Sequence, residues 1–158
     1  MIVRRASWLA LGVLGGLLAA PAGALESASG SYEGKLVCKE LDGGQRDKTK
    51  QDVTLGVFDD GAGEVLMQLG TLGTFGGFLL TDTKKPETGT LSAVNCTLDL
   101  MGLAGAALHA EVKVKAGSDK ASLKGTLVRM DLPGEAAALC QLKLERVSDI
   151  PPKLPVCP

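Results

Sequence analysis

From residue 31 to residue 147 the chain alternates between apolar and polar positions with a period of two. "YEGKLVCK" sets Tyr32, Gly34, Leu36 and Cys38 against Glu33, Lys35, Val37 and Lys39. "DVTLGV" puts Val53, Leu55 and Val57 on one face, and "EVLMQL" does the same with Val65, Met67 and Leu69. "ALHAEVKVK" opposes Leu108, Ala110, Val112 and Val114 to His109, Glu111, Lys113 and Lys115, while "CQLKLER" opposes Cys140, Leu142 and Leu144 to Gln141, Lys143 and Glu145. This period marks antiparallel strands that cover a core on one side and face solvent on the other. Turn chemistry separates the runs: "FDDGAGE" with its Asp-Gly, "TDTKKPETGT", "AGSDKAS" and "DLPGEA".

The pattern predicts eight strands, at 31–40, 51–58, 64–69, 75–82, 89–98, 107–115, 121–130 and 138–147. Joined in order by short connections they form an all-β antiparallel meander, and eight strands suffice to close, or nearly close, a barrel without sheet edges. A two-sheet β-sandwich is the alternative. Helix signals are thin, the best being the glycine-interrupted "DLMGLAGAAL" at 99–108. Three of the strands share a local spelling: "SYEGKLVC", "TFGGFLLT" and "SLKGTLVR" align on Gly34, Gly77 and Gly125, each with a bulky residue two places earlier. Glycine inside a strand permits a sharp bend or the close passage of another backbone. "GTL" also recurs at 70–72, 89–91 and 125–127, but with no constant period. The recurrences are therefore read as the spelling of strands rather than as a functional repeat.

The first 24 residues read as a signal peptide. Arg4 and Arg5 precede the apolar core "WLALGVLGGLLAA", and Ala22-Gly23-Ala24 supplies the small-x-small pattern of a cleavage site before Leu25. The core is short for a membrane span, so no stable span is expected after cleavage. This leaves an antiparallel β domain at 25–147 and a proline-rich C-terminal tail at 148–158, with a periplasmic or secreted destination. Two of the 17 basic residues, Arg4 and Arg5, leave with the leader, so the 18 acidic residues outnumber the rest by three. That weak negative balance gives no electrostatic reason to expect nucleic acid as a partner.

Export changes the reading of the cysteines. Cys38, Cys96, Cys140 and Cys157 show no CxxC spacing, and an even count in an exported chain predicts two disulfides rather than a metal site. Cys38 shares a face with Tyr32 and Leu36, Cys140 with Leu142 and Leu144, in the first and last strands. A closed meander makes those strands neighbours, so a Cys38–Cys140 bond would join the seam. Cys96–Cys157 would then pin the tail along the outside of the fifth strand. Cys96 also shares a face with Val94 and Leu98, so Cys96–Cys140 with Cys38–Cys157 stays open.

Candidate chemistry is sparse. The one histidine, His109, falls in a run of outward polar residues, and no G-x-S-x-G is present to suggest a triad. Asp59, Asp60 and Glu64 lack the spacing of a calcium loop and read as a hairpin turn. "GGQRDKTKQD" at 43–52 is not a phosphate loop and reads as a solvated turn, and "NCT" at 95–97 is a glycosylation sequon. No catalytic, cofactor-binding or metal-ligating set emerges, and the expectation is a non-enzyme without cofactor. The oddity is apolar: the glycine-rich segments 65–80 and 98–110 carry Phe75, Phe78, Leu79, Met101 and Leu103. One reading buries them as strand and core-covering loop. The other places them as two loops at the mouth of a barrel, where they would serve an apolar small molecule or lipid, or an envelope protein partner. A transmembrane barrel fits less well, for want of aromatic girdles. The eight-strand count is similar to small ligand-holding barrels such as lipocalins, a likeness of architecture that does not fix function. The interior decides between ligand binding and a structural or interaction role. If Tyr32, Leu36, Leu55, Val57, Met67, Leu79, Val112, Leu127 and Leu142 fill it, no cavity remains.

Overall fold

The computed structural model describes residues 27–40, 48–96, 105–115, 117–130, 137–151, 153, 154 and 157. Eight strands follow one another: β1 Gly30–Glu40, β2 Lys48–Asp59, β3 Glu64–Leu69, β4 Thr74–Asp82, β5 Lys85–Asn95, β6 Gly105–Val114, β7 Ala121–Met130 and β8 Ala138–Ser148. A single 3₁₀ turn, Gly70–Leu72, links β3 to β4. Each strand pairs antiparallel with the next, and β1 pairs with β8, so the predicted meander closes into a barrel. The signal-peptide segment, and Met101 and Leu103, lie outside the described residues.

Two strands start three or more residues earlier than the alternation predicts, for identifiable reasons. β2 begins at Lys48 rather than 51, because Lys39 to Val37 on β1 find partners in Lys48 to Lys50; part of the expected solvated turn at 43–52 is strand. β5 begins at Lys85 and runs through Pro86. Pairing of β5 with β6 starts only at Thr88, so the proline sits where no ladder bond is asked of it on that side.

The inward residues form one core. Tyr32, Leu36, Met67, Phe75, Leu91, Val112, Leu127 and Leu144 are wholly buried, and Leu55, Val57, Leu79, Leu108, Leu123 and Leu142 nearly so. All nine side chains named above as the test of a filled interior are among the buried set. Large and small residues come in pairs around the wall: Leu36 lies opposite Leu142, Leu142 opposite Gly125, Gly125 opposite Ala110, and Ala110 opposite Leu91. Large side chains thus lean over small ones, which is how a narrow barrel reaches interior packing density.

Gly34, Gly77 and Gly125 explain why the wall can be this tight. All three point inward, between Tyr32 and Leu36, Phe75 and Leu79, and Leu123 and Leu127. A Cβ on Gly34 would stand 2.1 Å from the Lys143 carbonyl oxygen; one on Gly77, 2.1 Å from that of Ser92; one on Gly125, 2.3 Å from that of His109. The obstacle in each case is the neighbouring strand's main chain, which has no rotamer to yield.

The seam between β1 and β8 is locked covalently. Cys38 stands directly opposite Cys140 in the register, and the two are bonded with Cα atoms 3.9 Å apart. Cys96, just past the end of β5, bonds Cys157. The tail does not run along β5 as expected. Leu154 lines one groove with Thr54, Gly56 and Gln68 of β2 and β3, and Cys157 reaches the outside of β4 at Gly76. The Cys157 sulfur sits where Gly76 has no side chain.

Gly125→Val is expected to lower stability by about 2 kcal/mol or more in urea denaturation, since the added methyls have only backbone to displace. The outward Thr90→Val on β5 should stay within ~0.5 kcal/mol. Equal effects of the two would contradict the close-approach role of the glycine.

Candidate functional site

A filled interior moves the search to the ends and the outer wall of the barrel. One end is closed by residues before β1. The Tyr32 hydroxyl donates to the Ala28 carbonyl at 2.7 Å, and the Ala28 N–H donates to the Asp59 carboxylate at 3.1 Å. Arg146 donates to the carbonyls of Ser27 at 3.0 Å, Ser29 at 3.2 Å and Asp119 at 2.8 Å. One guanidinium therefore gathers the N-terminal segment and the β6–β7 turn onto β8, and Ala28 is tucked into the core as a stopper. Burial pushes the Tyr32 phenol up to about 12, against an opposing pull from Arg146. This cluster is structural: its polar atoms are spent on one another.

On the outer wall most rows are charged or polar. Glu111, Lys124, Lys143, Lys35 and Asp52 stand opposite one another in turn from β6 round to β2. Lys35 and Asp52 form an ion pair. One row differs. Phe58 lies opposite Leu66, Leu66 opposite Gly76, Gly76 opposite Val94, Val94 opposite Ala107, Ala107 opposite Val128, and Val128 opposite Leu139. An apolar stripe thus crosses β2 to β8. It widens on β4, where Phe78 is 61% and Leu80 is 70% exposed.

At the broad end of the stripe is a groove of about 480 Å³, walled by Phe58, Leu66, Phe78 and Cys157 and rimmed by Asp60 and Glu64. Its floor is Gly76. A Cβ there would meet the Cys157 sulfur at 3.1 Å and the Cys96 sulfur at 3.9 Å, so the disulfide forms one bank of the groove. The rim is rigid as well: the Asp60 carboxylate accepts the N–H groups of Ala62 at 2.8 Å and Glu64 at 3.0 Å. Asp59 accepts that of Gly61 at 2.9 Å, so these acids organise a hairpin turn.

The residues singled out from the sequence separate accordingly. Phe75 and Leu79, expected as ligand or interface candidates in an apolar mouth loop, are core side chains of β4; the 65–80 segment is two strands and a 3₁₀ turn. Phe78, between them, points outward into the groove. Cys157 belongs to the groove as well as to the tail. Phe58, Leu66 and Val94 escape sequence reasoning, because each is a single apolar residue at an outward position of a different strand and only the register assembles them. The His109 ring is not solitary: its Nδ1 lies 2.9 Å from the Ser92 hydroxyl across β5 and β6. The pair lies on the outer face of β5 and β6, each of which is paired with a strand on both sides.

Comparison with models of protein families, with curated proteins and with solved structures finds no match to this chain. The fold and its two disulfides are those of a barrel compatible with an oxidising, exported location.

The Tyr32 closure has a pH signature. An unfolded tyrosine ionises near 10.0, the buried one only near 12. The contribution is complete below pH 10 and is lost as pH climbs towards 12, about 3 kcal/mol in all. Tyr32→Phe should remove that component of the alkaline loss, while costing about 1–2 kcal/mol at neutral pH for the orphaned Ala28 carbonyl. Identical alkaline unfolding profiles for the two proteins would contradict it.

Proposed function

We propose that this chain is an exported, non-catalytic binding module that works through the outside of its barrel. The groove beside Phe78 is the docking point for an envelope protein. The observation that carries the reading is the contrast between the two faces of β4. Phe75 and Leu79 are buried among the core side chains, while Phe78 stands exposed over a preformed groove and Leu80, two positions on, is exposed as well. Large apolar side chains on an otherwise charged surface mark interaction sites. The acidic rim at Asp60 and Glu64 favours a partner that offers an apolar side chain flanked by Lys or Arg.

A second occupant suits the same groove. Its volume falls within the range that holds small ligands, so a lipid-like molecule is the alternative. A photoreactive amino acid at position Phe78, with one at Lys124 on the lysine-rich wall as control, distinguishes them in cells that export the protein. The expected result is a discrete protein adduct at 78, none at 124, and loss of the adduct in the Phe58→Asp background. A lipid mass added at 78 would replace the protein partner by an apolar ligand, and no adduct at either position would overturn the site.

A further inference from the structure

The barrel wall has one gap in its pairing. β2 is bonded to β1 over Lys48–Val57, but to β3 only over Leu55–Asp59. β3 stops at Leu69, where the Leu69 N–H donates to the Gly73 carbonyl at 3.1 Å and turns the chain back into β4. The β1–β2 hairpin therefore projects past its neighbour. Among the described residues, no strand lies on the β3 side of 48–54. That side opens onto a groove of about 620 Å³, walled by Gln51, Asp52, Val53 and Thr54 and by Leu69 to Leu72 of the 3₁₀ turn. Lys48 to Asp52 are exposed. An unpaired strand edge in a groove is a template for one more strand.

The edge reads "KTKQDVT", and its charges select the occupant. Placed antiparallel against a second copy with Gln51 facing its twin, Lys50 stands opposite the twin's Asp52, and Asp52 opposite the twin's Lys50. Thr49 then meets Val53, and Lys48 meets Thr54. Residues directly opposite in such a pair face the same side of the sheet, so both barrels keep their interiors inward. Shifting the register by one pair sets Lys50 against Lys50, with Lys48 then opposite Asp52, in one direction, and Asp52 against Asp52 in the other. A two-fold contact is self-complementary by symmetry, and only the register about Gln51 sets opposite charges together with no like charges opposed.

We propose that the 48–54 edge of β2 is a homodimerisation surface, on which two copies pair antiparallel about Gln51 and form a sheet continuous from one barrel to the other. It lies away from the Phe78 groove, and the two sites are separately testable.

The test is sedimentation velocity on the purified, disulfide-bonded protein and two charge variants, with circular dichroism to confirm that each is folded. The native chain should dimerise with rising concentration. Lys50→Glu sets Glu against Asp52 across the two-fold axis, and Asp52→Lys sets Lys against Lys50. Each variant alone should weaken the dimer by about tenfold or more. Mixed in equal amounts they should recover it as a heterodimer, because the introduced Glu then faces the introduced Lys while Asp52 of the first variant faces Lys50 of the second. Gln51→Cys should in addition cross-link to its own twin under mild oxidation. A native chain that stays monomeric at every concentration overturns the proposal. So does a dimer that both single variants leave unchanged, or a mixture that stays monomeric.

Discussion

The structure depends on how closely neighbouring main chains approach at three inward positions. At Gly34, Gly77 and Gly125 the space a methyl would need is taken by a carbonyl or Cα of the next strand. Sheets that close into small barrels must coil strongly, and coiling brings strands together at points where only glycine fits. Those points lie on β1, β4 and β7, so the tight places are distributed round the wall rather than gathered at one corner. The narrow bore that results is one that Leu, Val, Phe, Met and a single Tyr can fill.

A filled bore shapes the remaining features. The described inward side chains form one buried hydrophobic core, and at the end beside Tyr32 its buried hydroxyl is paired with the Ala28 carbonyl. Closing the ring requires the first and last strands to meet, a contact between distant parts of the chain. The Cys38–Cys140 bond spans 102 residues there and limits the freedom of the unfolded chain at its costliest closure. The second disulfide has a different role. It holds the tail across the outer wall, and the sulfur rests where Gly76 has no side chain, so the covalent link becomes part of the apolar groove.

The fold was legible because period-two alternation is a local signal, and a meander needs no long-range information beyond strand order. The seam disulfide was legible for the same reason: Cys38 and Cys140 each announce an inward face, and closure makes them neighbours. The path of the tail was not, because the vacancy at Gly76 that receives Cys157 exists only once β4 lies between β3 and β5. The groove was half visible. Phe78 drew notice within a run of apolar residues, yet Phe75 and Leu79 drew equal notice and are core. Apolar content alone does not tell inward from outward, and strict alternation across 74–80 separates them only when the register is known. Phe58, Leu66 and Val94 carry no local mark at all. The free edge of β2 was hidden because its first residues read as a solvated turn, and because an unpaired edge is defined by a neighbour that stops short.

The central claim is that the barrel is full and that function therefore resides on its outer wall. A crystal structure of the protein under xenon pressure tests it most directly, since xenon enters apolar cavities that water leaves empty. The account predicts no xenon inside the ring formed by Leu91, Leu108, Leu127 and Leu142, with any bound atom confined to the outer groove beside Phe78. Xenon density among those core side chains would show a cavity in the bore and contradict it.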